Sequence, residues 1–128
     1  MILLDTHLLL WAAKQPERLP AKTGKLLALR ESAVAFSVAT LWEVAIKTSL
    51  KRPDFDVNVD ALYRWLLAEA FTELPIAPRH LMVVATLPWF HRDPFDRLLV
   101  AQAQVEGLVL WTADARLKAY GRAVKRAV

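Results

Sequence analysis

The sequence predicts an α/β fold: a mainly parallel central sheet with helices on both faces, in one domain covering residues 1–128. Three observations carry this. Short apolar runs containing β-branched residues alternate with segments whose apolar residues recur at helical spacing. Pro16, Pro20, Pro75, Pro78, Pro88 and Gly107 fall at the joints between runs. The chain has 128 residues, 55% hydrophobic and 23% charged, enough for one core and too few for two.

The elements follow in order. Residues 2–5 form a short apolar strand ending in a carboxylate, and Thr6 can cap the helix that the next leucines and Trp11 would form. Pro16 and Pro20 interrupt the pattern, and residues 21–31 resume it with good helix formers. Residues 34–37 make the second strand. Val38, Leu41, Trp42, Ala45 and Ile46 then recur at helical spacing as far as Leu50, the stripe by which a third helix would meet the core. Val59, Leu62, Tyr63, Leu66 and Leu67 mark a fourth helix, followed by an extended segment at 73–76 and a helix at 78–86. Pro94 opens a helix that runs to Glu106, and Gly107 stops it. Residues 108–112 are an apolar strand, 115–120 a last short helix and 124–128 an edge strand.

Composition excludes whole classes of chemistry. With no cysteine there is no disulfide, thiolate nucleophile or Cys-ligated metal centre. The longest nearly apolar stretch, residues 81–90, is well short of the roughly 18–20 residues that span a bilayer, so no membrane is expected. The N-terminus lacks a basic leader and carries Asp5, which points to the cytoplasm. Net charge is +4, and after Asp114 only basic charges remain: Arg116, Lys118, Arg122, Lys125 and Arg126. Such a block is either a solvated tail or a surface for a polyanion such as nucleic acid. The five tryptophans are expected in the core, with Trp11, Trp65 and Trp89 as alternatives for an exposed patch.

Ligands of an open parallel sheet sit beyond the carboxyl ends of its strands. Asp5 closes the first strand, and Asp114 follows the strand LVLWT by one residue. Glu43 lies about 130° from the centre of its helix's apolar stripe, outside the expected core face. Asp96 sits in the first turn of the helix that Pro94 opens, with Asp93 at its N-cap. Singly, each has an ordinary job: a cap, a partner for Lys47, a favourable dipole contact, a turn. Together, carboxylates near one strand edge repel unless a cation neutralises them, and a hard ion such as Mg²⁺ or Mn²⁺ does so with oxygen ligands. His7, His80 and His91 are scattered without metal-ligand spacing and are expected to be surface or structural.

The segments LLDTHLLLW, SVATLWEVAIK, HRDPFDRLLVAQA and LWTADARL, in this order and over essentially the whole chain, resemble the PIN-domain ribonucleases. More narrowly the chain is similar to the VapC-type toxins of type II toxin–antitoxin systems. The resemblance implies a PIN-like three-layer fold and a metal-dependent endoribonuclease using Mg²⁺ or Mn²⁺. It implies an RNA substrate, inhibition by a cognate VapB-type antitoxin, and a homodimer. Asp5, Glu43, Asp96 and Asp114 fall on the family's acidic metal site, Asp93 on a further acidic position of one branch and Thr112 on its hydroxyl position, with Thr6 supporting. Where relatives often carry a glycine after the Glu43 helix, this chain has SLKRPD. Arg92, Arg97 and Lys47 lie beside the site in sequence and could hold RNA phosphates or serve as salt-bridge partners. The alternative to an enzyme is a non-catalytic basic module that binds nucleic acid, its carboxylates only capping helices. A receiver-like domain fits poorly, since no second acid follows in DTH and no lysine follows LVLWT at once.

Overall fold

The computed structural model describes residues 1–29 and 33–127. The elements are β1 (Ile2–Leu4), α1 (Thr6–Lys14), a 3₁₀ turn (Pro16–Arg18), α2 (Ala21–Leu29), β2 (Val34–Ser37), α3 (Val38–Ser49), α4 (Val59–Ala68), β3 (Thr72–Leu74), α5 (Pro78–Val84), α6 (Pro94–Glu106), β4 (Val109–Thr112), a 3₁₀ helix (Ala115–Tyr120) and β5 (Val124–Arg126). The expected continuation of α2 to Glu31 and of β5 to Val128 falls on residues outside those described.

All strand pairs are parallel, in the order β3-β2-β1-β4-β5. The alternation of side chains along each strand splits the core in two. Leu3, Ala35, Leu110 and Val124 face α5, α6 and the second 3₁₀ helix, while Ile2, Leu4, Phe36 and Trp111 face α1, α2 and α4. This is the three-layer α/β architecture the sequence predicts. No helix among the described residues is long and apolar enough to cross a membrane.

Because β1 lies centrally, with β2 and β3 on one side and β4 and β5 on the other, the strand order reverses between β1 and β4. A crevice therefore opens beyond the carboxyl ends of those two strands. α6 is fixed beneath it at both ends: Asp93 caps the N-terminus above Pro94, and Gly107, at φ 68°, takes the left-handed conformation that ends the helix. Lys51, in the loop after α3, adopts φ 53°. A non-glycine residue thus takes the left-handed conformation after α3, at a cost of about 1 kcal/mol.

α3 is rotated so that only part of its apolar stripe, Val38 and Leu41, is half-buried, with Leu41 against the core. Ala39, Thr40, Glu43 and Val44 are its buried residues, whereas Trp42 is 55% exposed and Ala45, Ile46 and Leu50 are also exposed. Thr40 and Glu43 turn in to Thr6, which leaves the Trp42, Ala45 and Ile46 side of the stripe outside, with Trp42 packed edge-on to Phe95 of α6 at 5.1 Å. Trp89 is exposed too, Trp11 and Trp65 are half-buried, and only Trp111 of the five tryptophans is in the core.

Candidate active site

Asp5, the residue after β1, holds α1 and β4 at once. Its Oδ1 accepts from the Leu8 amide at 2.8 Å, making it the N-cap of α1. The cap expected of Thr6 falls to Asp5 because Asp5 has extended backbone while Thr6 is already helical. Oδ2 of Asp5 accepts from Thr112 Oγ1 at 2.6 Å and from the Ala113 amide at 3.0 Å. Thr112 Oγ1 in turn accepts from the Asp114 amide at 2.9 Å, so one hydroxyl sets the spacing of two aspartates.

On the α3 side, Thr6 is freed from capping and donates to Glu43 Oε1 at 2.8 Å, and Lys47 Nζ lies 3.0 Å from Glu43 Oε2. Glu43, expected outside the core face, is only 7% exposed. Asp93 Oδ1 accepts from the Phe95 and Asp96 amides at 2.9 and 3.0 Å. Asp96, one turn into α6, sends its carboxylate towards β4. Its Oδ2 is 3.6 Å from His91 Nε2, and ligand-capable atoms of His91, Asp96 and Asp114 all lie within 4.8 Å of one another.

The sequence pattern of the PIN domain matches residues 2–123. The chain belongs to the PIN-domain family. It is 32% identical over 124 residues to Ribonuclease VapC22 of Mycobacterium tuberculosis (strain ATCC 25618 / H37Rv), an alignment covering 93% of this chain and 91% of that protein. Among solved structures it resembles FitAcB from Neisseria gonorrhoeae, with a TM-score of 0.69 at 19% identity over 99% of this chain and 98% of that one. That likeness concerns the PIN fold alone.

Three electrostatic features set this PIN domain's crevice apart from a set of helix caps. Burial, followed by the negative charges of Asp93, Asp5, Glu43 and Asp114, pushes the Asp96 carboxyl up to about 7. Burial likewise raises Asp5, against the lowering effect of its three donors. Asp114 moves the other way, held well below the usual carboxylate range first by Arg116 and also by His91. Arg116 grips both of its oxygens, Nε to Oδ1 at 3.1 Å and Nη2 to Oδ2 at 2.8 Å. A crevice in which burial and then neighbouring negative charge raise one acid, while an exposed arginine clamps another, concentrates carboxylates that a cation would neutralise. The oxygen donors present suit a hard divalent ion.

His91 is a buried site residue that its place in the sequence does not reveal. Its Nδ1 accepts the Asp93 amide at 3.0 Å, which puts the proton on Nε2 and aims it at Asp114 Oδ2, 2.8 Å away. It thereby orients Asp114. The only cue was its position two residues before the N-cap aspartate.

Arg97 is a correction. It is 3% exposed and turned away from the carboxylates, donating to the carbonyls of Val84, Leu87 and Pro88 and to Tyr120 Oη. Its place among the buried residues of α6 excludes a role in gripping RNA phosphate. Lys47 is committed to Glu43, and Arg92 alone of the three expected cations is exposed and lacks an ion pair among the described residues. The basic tail is also partly spent on structure: Lys118 binds the Val124 carbonyl and Lys125 lies over Trp111.

Proposed function

We propose that the chain is a metal-dependent endoribonuclease, the toxin of a toxin–antitoxin pair, with Asp5, Glu43, Asp96 and Asp114 as its metal-holding residues. The observation that carries the reading is the grouping of Asp96 and Asp114 with His91 within 4.8 Å, in a crevice where the charges of Asp93, Asp5, Glu43 and Asp114 all bear on Asp96. Identity to a protein named as a ribonuclease supports the reaction class.

Mg²⁺ or Mn²⁺, when bound, supplies Lewis-acid polarisation of a phosphodiester and a nucleophile at neutral pH. The chain's own residues do the rest. Thr112 and the Leu8 and Ala113 amides lock Asp5, so its carboxylate needs no reorganisation to receive an ion. Thr6 and Lys47 fix Glu43, and His91 holds Asp114 by a hydrogen bond independent of Arg116, so that Asp114 would stay oriented towards a bound cation. Arg92, exposed, is the residue proposed to meet RNA phosphate. Asp93 acts chiefly as the cap of α6, with a direct contact to a second ion as a further role.

The exposed stripe of α3 and an apolar cavity of about 340 Å³ walled by Leu19, Leu27, Trp65 and Phe71 are the surfaces available to a VapB-type antitoxin helix and a second copy of the chain. The protein is proposed to work in the cytoplasm as a homodimer, where such a partner would hold it inactive.

Metal binding is read out by melting temperature. Mn²⁺ or Mg²⁺ at about a hundred times its Kd stabilises the fold by about 2.7 kcal/mol, a rise of roughly 10 °C. Ca²⁺, less demanding in geometry, raises melting without supporting turnover well. A chain that binds RNA yet shows neither stabilisation nor cleavage is the non-catalytic basic module instead.

A further inference from the structure

Beside the carboxylates the chain displays an aromatic shelf that no step of the chemistry uses. Trp89 is 75% exposed, and Phe90 next to it is also exposed. An exposed tryptophan on a loop is ordinarily free to choose among rotamers. This one is pinned, because the Arg97 guanidinium lies against one face of its indole, 3.8 Å from the ring centroid. Arg97 is itself immobile, held by three carbonyls and the Tyr120 hydroxyl, and that hydroxyl donates to the Pro88 carbonyl at 2.6 Å. Phe90 packs edge-on to Tyr120 at 5.2 Å. One face of the indole is thus supported from below while the other is presented to solvent.

The shelf leads straight into the site. Leu87 is buried at one end of the segment and His91, which orients Asp114, at the other, so a single residue, Phe90, separates Trp89 from His91 in the chain. Trp89, Phe90, His91, Arg92, Asp93 and Arg116 line one shared depression. Its acid, Asp93, is turned inward to cap α6, while Arg92 is exposed without an ion pair among the described residues. Flat apolar faces next to an unspent cation suit an unpaired base and its phosphate better than they suit an apolar protein surface.

We infer that Trp89, extended by Phe90 and flanked by Arg92, is a stacking subsite for an unpaired base of single-stranded RNA beside the bond to be cut. The inference rests on the nuclease reading for its occupant and goes beyond it in assigning the side chains that would hold an unpaired base. A base in a duplex has its faces covered by its neighbours and cannot stack on the shelf without being extruded.

The test compares wild type, Trp89→Ala, Trp89→Phe and Phe90→Ala in EDTA, which holds chemistry off. The probe is a short mixed-sequence single-stranded RNA, free or annealed to its complement. Trp89→Ala is expected to weaken single-strand binding about tenfold or more, Trp89→Phe to restore most of it, and Phe90→Ala to cost less. Duplex affinity is expected to be indifferent to all three. Unchanged single-strand affinity in a folded Trp89→Ala chain overturns the proposal, as does an equal loss for both RNAs. Light scattering in which Trp89→Ala dissociates a dimer that Trp89→Phe restores also overturns it, since the shelf is then covered by protein. Cleavage in Mn²⁺ separates the two readings. No cleavage by wild type together with a Trp89-dependent single-strand affinity removes the nuclease and leaves the shelf. Cleavage with a Trp89-independent affinity does the reverse.

Discussion

Asp96→Asn raises the metal-free melting temperature at pH 8 while lowering RNA cleavage by about a thousandfold or more. The two effects have one origin. In the folded chain, burial and four nearby carboxylates move the Asp96 carboxyl from 3.8 to about 7. A carboxyl raised in this way favours the native state less and less as pH climbs from its unfolded value through its folded one, and the full penalty is present above pH 7. The penalty has an upper bound near 4 kcal/mol, and with part of the side chain solvated a gain of about 1–3 kcal/mol is expected on neutralising it. Below about pH 4 the gain vanishes, because the native aspartic acid is then neutral in both states. Asp93→Ala is expected to do the opposite. It removes the acceptor for the Phe95 and Asp96 amides, lowers stability by about 1 kcal/mol and reduces cleavage only partly. Melting curves at pH 4 and pH 8, with single-turnover rates for both variants, check the pair. A more stable Asp93→Ala and a less stable Asp96→Asn would reverse the two assignments.

Arg97→Met lowers the melting temperature by about 10 °C or more. No carboxylate lies within ion-pair distance of this buried guanidinium among the described residues, and its burial is offset by four neutral acceptors and the Trp89 face. Methionine fills the volume but donates nothing, leaving the Val84 and Leu87 carbonyls without this donor and the shelf unsupported. Hydrogen bonds to a charged group are worth about 1.5–3 kcal/mol each before compensation, so a net loss of about 3 kcal/mol is a modest expectation. Calorimetric melting of the metal-free variant tests it. A shift of under about 2 °C would mean that Arg97 is not the clamp described here.

The strands, their order of appearance and the positions of Asp5, Asp96 and Asp114 were legible because they depend on local signals: apolar runs, Pro94 at a first helical turn, Gly107 at a last one. The orientation of α3 was not. Helical periodicity assumes that the apolar face goes inward, and here the packing of Glu43 against Thr6 wins, leaving Trp42 and Ile46 outside. The directions that His91 and Arg97 take were not legible for a related reason. Both lie within six residues of Asp96, yet one turns in to Asp114 and the other away to the Val84–Pro88 carbonyls. Neighbours in sequence on a cap and a first helical turn point in different directions, and periodicity carries no information about which. Thr6 lost its expected cap for a reason of one residue: the strand ends at Leu4, so the half-in position is Asp5.

The central claim is that the crevice between β1 and β4 cuts RNA with a divalent ion held by its carboxylates. Single-turnover cleavage of an end-labelled single-stranded RNA measures this most directly, with Mn²⁺ titrated from zero, for wild type and Asp5→Asn. Both Asp5 oxygens are acceptors, to Leu8 on one side and Thr112 and Ala113 on the other, so the amide costs about 1–3 kcal/mol and the assay is run where circular dichroism shows the variant folded. The wild-type rate is expected to be nil in EDTA and to saturate with Mn²⁺, and that of Asp5→Asn to stay at least about a thousandfold lower. Cleavage that persists in EDTA, or that Asp5→Asn performs undiminished, would contradict the claim.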